Sequence, residues 1–207
     1  MFIKSRRQAG TIQRPGGPPV NRPGRKAGIK DVRKYTSPEG AALKSFSLKY
    51  HKSGYKNMAG KYLCVNLHLI WSTKERRRLI CREWAERLYA YLGSISQSRK
   101  ARLIEANSQP DHIHLYVSMP STISIADLIN AYKSNSARWI HKTFTDGRLF
   151  SWQEGYAAFS VSCSQERAVM KYIRSQAEHH RTRDFRTELL ELLNRHGIEY
   201  DPGYIWD

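Results

Sequence analysis

Cysteine is scarce in this chain, and long apolar runs are missing from it. The 207 residues include three cysteines, Cys64, Cys81 and Cys163, which have no paired spacing and form no CxxC motif. This pattern indicates neither a disulfide framework nor a zinc ribbon, and it fits a reducing cytoplasm. No apolar run approaches the roughly 18 residues that a membrane span needs, and no signal peptide is evident. The sequence therefore predicts a cytoplasmic protein without a membrane anchor.

Acidic residues are also in short supply, with 18 Asp and Glu against 35 Lys and Arg, and the isoelectric point is near 10.0. Residues 1–57 hold 14 basic and 2 acidic side chains, whereas residues 58–207 hold 21 and 16. The two segments therefore carry net charges of +12 and +5, within a total of +17. Such a balance favours polyanionic partners, and the 11% aromatic content supplies rings on which unpaired bases can stack. We expect a nucleic-acid partner rather than an anionic membrane.

Residues 1–57 differ from the rest of the chain in composition. They contain five of the eight prolines and seven of the thirteen glycines, with several basic clusters and almost no apolar periodicity. This composition predicts a basic, disordered leader that contacts DNA phosphates without sequence preference. The alternative, which the sequence leaves open, is that translation starts at Met58. Residues 58–207 have the length of a single domain.

Apolar periodicity after the leader follows the order strand, helix, strand, strand, helix, strand, helix, helix. The predicted strands lie at about 61–71, 102–107, 110–117 and 157–162, and the predicted helices begin near 82, 124, 165 and 184. The order βαββαβ is that of the ferredoxin-like arrangement, an α+β fold with an antiparallel sheet and both crossover helices on one face. We therefore expect a ferredoxin-like core with additional C-terminal helices, and the opposite face of the sheet free for chemistry.

The third predicted strand carries two imidazoles. His112 and His114 are two residues apart in the run PDHIHLYV, so they share one face of the strand. Two histidines on a rigid strand supply half of a metal site, although taken alone such a pair is more often structural. Downstream, Tyr172 and Gln176 stand at i and i+4 of a predicted helix running from about 165 to 180, which would bring a phenol and an amide oxygen to one helical face.

These residues carry a family resemblance. Asp111-His112-Ile113-His114 resembles the His-hydrophobe-His (HUH) motif, and Tyr172-x-x-x-Gln176 followed by His179-His180 resembles the catalytic helix of single-tyrosine HUH transposases of the insertion-sequence type. The similarity covers about residues 61–207. Further segments match in the family's order and look most like the REP-associated tyrosine transposase branch: Trp71–Lys74, Lys133–Trp139 and Tyr200–Asp207.

The resemblance implies a metal-dependent transposase that acts on single-stranded DNA with hairpin-bearing or palindromic ends. Tyr172 would be the nucleophile, forming a 5′-phosphotyrosyl link and a free 3′-hydroxyl that later rejoins strands. His112, His114 and Gln176 would hold one divalent ion, Mg²⁺ or Mn²⁺ in the family, whereas ligand preference alone points to zinc or another imidazole-binding metal. The resemblance also implies a homodimer in which Tyr172 of one chain serves the histidines of the other.

Basic side chains near these motifs are candidate DNA contacts: Lys74, Arg76, Arg77, Lys133 and Arg138. A basic helix face is usually just solvated. Other readings stay open from sequence, namely a host-retained nuclease that processes REP sequences, a relaxase or replication initiator with the same motif, and a noncatalytic nucleic-acid-binding module. The compact length argues against a relaxase, and the binding module leaves Tyr172 and Gln176 unexplained.

Overall fold

The computed structural model describes residues 62–201, 203 and 205. The predicted leader at residues 1–57, the alternative start at Met58 and part of the C-terminal tail lie outside the described residues. The strands and helices are, in chain order, β1 (Asn66–Ser72), α1 (Arg82–Ser98), β2 (Arg102–Gln109), β3 (His112–Ser118), α2 (Ile125–Thr143), β4 (Ala157–Val161), α3 (Glu166–Arg174), α4 (Gln176–His179) and α5 (Phe185–Arg195). Short 3₁₀ turns cover Lys74–Arg76, Thr145–Leu149 and Cys163–Gln165.

The strands form one four-stranded antiparallel sheet in the order β2-β3-β1-β4. This is the strand order of the ferredoxin-like fold, so the predicted fold class is confirmed. β1 begins later than predicted, at Asn66, because the preceding Tyr62 and Leu63 are 90% and 55% exposed and find no apolar surface to pack against. Among the described residues, none of the helices combines the length and the apolar character that crossing a membrane requires.

One face of the sheet is covered by α1 and α2. Alternate residues of the central strands point towards these helices and form the largest core cluster: Leu67, Leu69 and Trp71 of β1, and Ile113, Leu115 and Val117 of β3. The start of α2 is set by Ser124, whose hydroxyl accepts a hydrogen bond from the backbone N–H of Asp127, as in a capping box. Ile125 is 37% exposed because it lies in the first turn, outside the buried stripe of the helix.

The other face of the sheet is covered by α3 and α5, whereas the sequence predicts it to be free. Ile173 of α3 packs with Ile104 and Tyr116, and Phe185 of α5 packs with Ile70. Each of these amphipathic helices carries an apolar stripe whose burial is favourable, and this sheet face is the apolar surface they cover. The second set of alternate residues on β1 and β3 is therefore enclosed between the sheet and the C-terminal helices.

The single helix predicted over about 165–180 is interrupted at Ser175, so α3 and α4 are separate. The Nδ2 atom of Asn107 on β2 donates to the carbonyl oxygens of Ile173 at 2.7 Å and Arg174 at 3.2 Å. In a continuous helix these oxygens would accept from the backbone N–H groups four residues later. Because a side chain from the sheet occupies them, the helix breaks here, and the candidate nucleophile and the candidate amide ligand lie on different helices.

Cys64 and Cys163 are joined by a disulfide bond, whereas the cysteine spacing predicts no disulfide framework. The two residues are separated by 99 positions and show no recognisable spacing. Their meeting follows from the sheet, because β1 and β4 pair antiparallel with Asn66 opposite Val161. Continuing that register outward from both strand ends brings the two cysteines opposite each other.

Candidate active site

The HUH histidines lie where the strand pattern predicts. His112 and His114 alternate with Ile113 on β3, and their side chains are 1% and 0% exposed. The intervening isoleucine points into the core under α1 and α2, which sends both imidazoles to the opposite face, beneath α3 and α5. The sequence therefore predicted correctly that these two side chains share a face of the strand.

Neighbouring residues fix the orientation of both rings. Asp111 Oδ1 lies 2.7 Å from His112 Nδ1, and His68 Nε2 lies 3.0 Å from His114 Nδ1. A carboxylate can only accept here, so His112 Nδ1 carries the proton and its Nε2 keeps a free lone pair. Histidines that bind metals commonly make such a contact through the ring nitrogen that faces away from the ion. In both histidines the Nε2 atom is therefore the one presented to the interior.

Burial keeps the imidazoles of His112 and His68 neutral. It lowers the pKa of His112 to about 4, although the hydrogen bond to Asp111 acts in the opposite direction. Burial, followed by the positive charge that His114 would carry, lowers the pKa of His68 to about 3. The Asp111 carboxyl behaves in the reverse way: burial alone would raise its pKa, but its contacts with His112 and Arg76 lower it to about 2. Neutral imidazoles are the form that ligates metals.

The C-terminal helices bring two more ligand-type side chains to the histidines. His180 Nε2 lies 3.0 Å from His112 Nε2 and 3.0 Å from Glu188 Oε2. The same carboxylate oxygen lies 3.6 Å from His114 Nε2. Ligand atoms of His112, His114, His180 and Glu188 all lie within 4.8 Å of one another, so this cluster can bind a metal ion. We call these residues the histidine–glutamate cluster.

Atoms without a hydrogen-bond partner point to the same place. His114 Nε2 and Gln176 Oε1 are buried, and neither has a hydrogen-bond partner among the described residues. A buried polar atom left unpaired costs about 1–3 kcal/mol, so a native structure usually supplies a partner for it. These two atoms and the carboxylate oxygen of Glu188 are all of the types that bind metals, so the residues present fit a divalent ion.

Tyr172 of α3 lies against this cluster. Its hydroxyl donates a hydrogen bond to Glu188 Oε1, and its ring centre is 6.2 Å from that of His114. Burial and, after it, the negative charge of Glu188 raise the pKa of the Tyr172 hydroxyl above its ordinary value near 10.0. The hydroxyl is therefore protonated at neutral pH in this arrangement, and it must lose its proton in the course of any attack.

Gln176, at the start of α4, reaches the same carboxylate. Its Nε2 donates to Glu188 Oε1 at 2.9 Å. Tyr172 and Gln176 thus converge on one oxygen even though the helix predicted to carry both is broken between them. The Glu188 carboxylate itself stays ionised: burial alone would raise its pKa, but the nearby imidazoles of His114 and His180 hold that pKa well below its usual range.

The basic side chains predicted to contact DNA occupy different surroundings. Arg76 pairs with Asp111 at 3.2 Å and lies over the Phe185 ring at 5.5 Å, at the edge of the site. Lys133 donates to the backbone carbonyl oxygens of residues 153–155. Arg138 is exposed on α2, in the helix layer on the far side of the sheet. Lys74 and Arg77 are exposed beside the 3₁₀ turn after β1.

His68 and Glu188 belong to the site but were not singled out from the sequence, whereas Asp111 and His180 were quoted in the matched motifs without a role. For Glu188 a signal was present, because it follows Phe185 by three positions and precedes Leu192 by four, so a carboxylate stands within the apolar stripe of α5. An acid in such a stripe needs a buried partner. For His68 the signal was the same, an imidazole within the apolar run of β1.

The fold and the paired-histidine site together define a class of protein, the HUH transposases. Residues 61–176 match the family model described as transposase, IS200 like. The match spans more than half of the chain, and the chain therefore belongs to the IS200-like transposase family. This confirms the family to which the motifs around His112 and Tyr172 were assigned.

Two relatives by sequence agree with that family. The chain is 31% identical over 119 residues to the ISDra2 transposase TnpA of Deinococcus radiodurans, covering 54% of this chain and 84% of the relative. It is 24% identical over 129 residues to the transposase for insertion sequence element IS200 of Salmonella typhimurium, covering 59% and 84%. The structure of a REP-associated tyrosine transposase bound to a REP hairpin aligns with a TM-score of 0.46 and 13% identity, covering 58% of this chain and 72% of that one.

Proposed function

We propose that this chain is a metal-dependent transposase that cleaves single-stranded DNA with Tyr172 as its nucleophile. The observation that carries the proposal is the position of the Tyr172 hydroxyl, which donates to a carboxylate of the histidine–glutamate cluster. A phenol beside a cation site suits phosphodiester transesterification, because nucleophile and cation can reach the same phosphate. Membership of the IS200-like transposase family supports this reading.

The proposed reaction exchanges one ester bond for another. The phenolic oxygen of Tyr172 attacks the phosphorus and forms a new P–O bond, while the bond between phosphorus and the 3′-oxygen breaks. The phenolic proton leaves to solvent, and the departing 3′-oxygen takes up a proton. The products are a 5′-phosphotyrosyl link and a free 3′-hydroxyl. Because the ester energy is conserved, a 3′-hydroxyl can later attack that link and rejoin strands without ATP.

His112, His114 and Gln176 are the proposed ligands of one divalent ion, Mg²⁺ or Mn²⁺ as the resemblance implies. When bound, the ion supplies a Lewis acid for a phosphate oxygen. Asp111 and His68 keep the two HUH rings turned so that their Nε2 atoms face the interior. The protein's own contribution is thus a fixed set of neutral donor atoms beside an oriented phenol.

The proposed substrate is single-stranded DNA with hairpin or palindromic ends, as the resemblance to the REP-associated branch implies. The net charge of +17 supports a polyanionic substrate, and an unpaired strand can bend a phosphate into an internal site.

A host-retained copy that processes REP sequences would use the same chemistry. A noncatalytic binding module would not explain why the Tyr172 hydroxyl contacts the histidine–glutamate cluster. A cytoplasmic location stays a prediction.

The assembly of the site follows from the contacts of α3. Tyr172 lies beside the histidines of its own chain, and Arg174 donates to Glu105 of β2 through Nε and Nη2, both at 2.6 Å. These contacts support a site completed within one chain. The homodimer implied by the resemblance stays a prediction, whereas an exchange of Tyr172 between its chains would require α3 to leave these contacts.

The direct test is an adduct assay with the full chain. An oligonucleotide that carries the palindromes flanking the gene, labelled on both sides of the cleavage point, would be incubated with Mn²⁺ or Mg²⁺. We expect a covalent complex that retains the label 3′ of the cut, and mass spectrometry should place the phosphate on Tyr172. A phosphate on another residue, or cleavage without an adduct, would contradict the proposed mechanism.

A further inference from the structure

Glu188 lies outside the part of the chain that the family model matches, which ends at residue 176. It is on the inner face of α5 and is 5% exposed. Glu191, on the same helix, has a side chain 42% exposed and pairs with Arg183 at 2.6 Å. Glu191 thus makes an ordinary surface ion pair. Glu188 is buried, and the contacts described above for its carboxylate include no Lys or Arg.

The two oxygens of Glu188 face different partners. Oε1 accepts hydrogen bonds from the Tyr172 hydroxyl and from Gln176 Nε2. Oε2 lies 3.0 Å from His180 Nε2 and 3.6 Å from His114 Nε2. One carboxylate therefore touches the candidate nucleophile on one side and the candidate metal ligands on the other.

The contact with Gln176 decides which atom of that amide is presented. Because Nε2 is held by Glu188 Oε1, the carbonyl oxygen is the end left over, and it has no hydrogen-bond partner among the described residues. An amide turned the other way would offer an N–H group, which cannot ligate a cation. Glu188 thus selects the ligating end of Gln176 while it orients the phenol of Tyr172.

A purely structural role explains this arrangement poorly. Burying a carboxylate costs several kcal/mol unless a cation and good hydrogen bonds compensate. Of the partners of Glu188, His180 lies at hydrogen-bond distance and can carry a positive charge. Its Nε2 also lies 3.0 Å from His112 Nε2, and a metal bound by these two nitrogens would require both rings to be neutral. A divalent ion bound among these atoms would supply a positive charge beside the carboxylate without requiring a protonated His180.

We propose that Glu188 is a positioning residue of the transesterification site, which joins the nucleophile to the metal ligands. Its Oε1 orients the Tyr172 hydroxyl and the Gln176 amide, and its Oε2 completes the ligand set begun by the HUH histidines. This inference rests on the proposed function, and it assigns α5, beyond the region matched by the family model, to the active site.

The test compares Glu188→Gln and Glu188→Asp with Glu191→Gln as the matched control on the same helix. Binding of Mn²⁺ alone to the full chain is measured by isothermal titration calorimetry, without DNA. We expect Glu188→Gln to weaken Mn²⁺ binding by about tenfold or more, which is the lower end of the loss caused by removing a partner of a metal site. Glu191→Gln should leave Mn²⁺ binding unchanged. Glu188→Asp keeps the charge but shortens the reach, so it should retain more affinity than Glu188→Gln.

Positioning of the phenol has its own readout in the kinetics of adduct formation at saturating Mn²⁺. For Glu188→Asp we expect kcat to fall about tenfold or more with little change in KM for the oligonucleotide, because the orientation of Tyr172 matters to the chemical step and not to DNA binding. Loss of folded protein would also lower the apparent kcat without changing KM, so kcat is calculated per folded chain, with the folded fraction measured by circular dichroism. A merely structural role predicts a kcat per folded chain equal to that of the unmodified chain.

The outcomes separate this inference from the proposed function. If Glu188→Gln binds Mn²⁺ and forms the adduct as the unmodified chain does, Glu188 has no such role and the proposed function stands. If the unmodified chain neither binds Mn²⁺ nor forms an adduct, both fall. Should Glu188→Gln fail to fold, crystals of the unmodified chain soaked in Mn²⁺ decide: an anomalous peak about 2.2 Å from a Glu188 oxygen supports the inference, and a peak bound without Glu188 overturns it.

Discussion

His68 Nε2 lies 3.0 Å from His114 Nδ1, a contact between two adjacent central strands of the sheet. His68 is itself too far from the other ligand atoms to belong to the histidine–glutamate cluster, so its influence on a metal passes through the ring of His114. We expect His68→Ala to weaken Mn²⁺ binding by about 10- to 100-fold, because His114 loses the contact that fixes its orientation. Isothermal titration calorimetry of the full chain measures this.

The control for His68→Ala is His196→Ala, which removes an exposed imidazole stacked on Phe159 at 4.6 Å. That variant should bind Mn²⁺ like the unmodified chain. Equal affinities for the two variants would mean that the contact between the strands contributes nothing to the metal site.

Direct ligands should matter more than residues that orient them. We expect His112→Ala and His114→Ala each to lower the rate of adduct formation by more than roughly 100-fold, because each removes a donor atom. Loss of a residue that only orients a ligand costs up to about 100-fold. Gln176→Ala should be milder because water can replace a neutral amide oxygen. Excess EDTA should reproduce the histidine variants, and His141→Ala, a histidine that contacts Phe150 O, should cleave normally. Undiminished adduct formation in EDTA would exclude a metal-assisted role for these residues.

The parts of the site that could be predicted from the sequence are those set by local periodicity. His112 and His114 share a face because strands alternate, and α2 and α5 begin near their expected positions because Ser124 and Asp184 cap them locally. Gly197 has a φ of 63°, the left-handed conformation that favours glycine after a helix.

The parts that could not be predicted depend on contacts between distant segments. The break at Ser175 comes from Asn107, a side chain of another element. The disulfide between Cys64 and Cys163 depends on the register of two strands that are not consecutive in sequence. Glu188 reaches the site because α5 packs on the sheet. Its position in an apolar stripe could therefore predict that it is buried, but not which residues it contacts.

The role of Tyr172 is tested by removing one oxygen. Tyr172→Phe keeps the ring that packs 5.0 Å from His179 and deletes the hydroxyl that meets Glu188, so folding and Mn²⁺ binding should be nearly preserved while the covalent adduct disappears. The loss of one hydrogen bond should cost about 1 kcal/mol of unfolding free energy. Denaturing gel electrophoresis of labelled DNA measures the adduct, and Tyr91→Phe, in the other helix layer, is the control. A 5′ adduct formed by Tyr172→Phe would rule out this nucleophile.

Residues 1–57 carry a net charge of +12 and are predicted from sequence to bind DNA phosphates. A chain that starts at Met58 should therefore form the same adduct but bind single-stranded DNA with a weaker salt dependence, because each phosphate contact adds about 0.9 to the slope of log affinity against log salt, or somewhat less on single strands. Fluorescence anisotropy over a range of NaCl concentrations measures that slope. An insoluble or unfolded truncation would show that the leader packs on the domain.

The last prediction concerns whether Tyr172 acts within its own chain. Asn107 holds the end of α3 through two backbone carbonyls, and Glu105 holds Arg174, so the C-terminal end of the helix is attached to β2 by two side chains. We expect Asn107→Ala to lower kcat for adduct formation about tenfold, the equivalent of one hydrogen bond of roughly 1.4 kcal/mol. Asn135→Ala, which removes a similar side-chain bond on α2, should have no such effect.

Mixing two inactive variants then distinguishes one-chain sites from shared ones. In a mixture of His112→Ala with Tyr172→Phe, a one-chain arrangement leaves every site lacking either a histidine or the phenol, so no adduct should form. A homodimer that exchanges Tyr172 would instead contain one site with both. Differently tagged chains show by co-purification whether mixed dimers exist, and adduct formation above the sum of the separate variants would establish exchange. Because α3 is held on β2 through backbone carbonyls as well as an ion pair, we expect the mixture to remain inactive, whether or not dimers form.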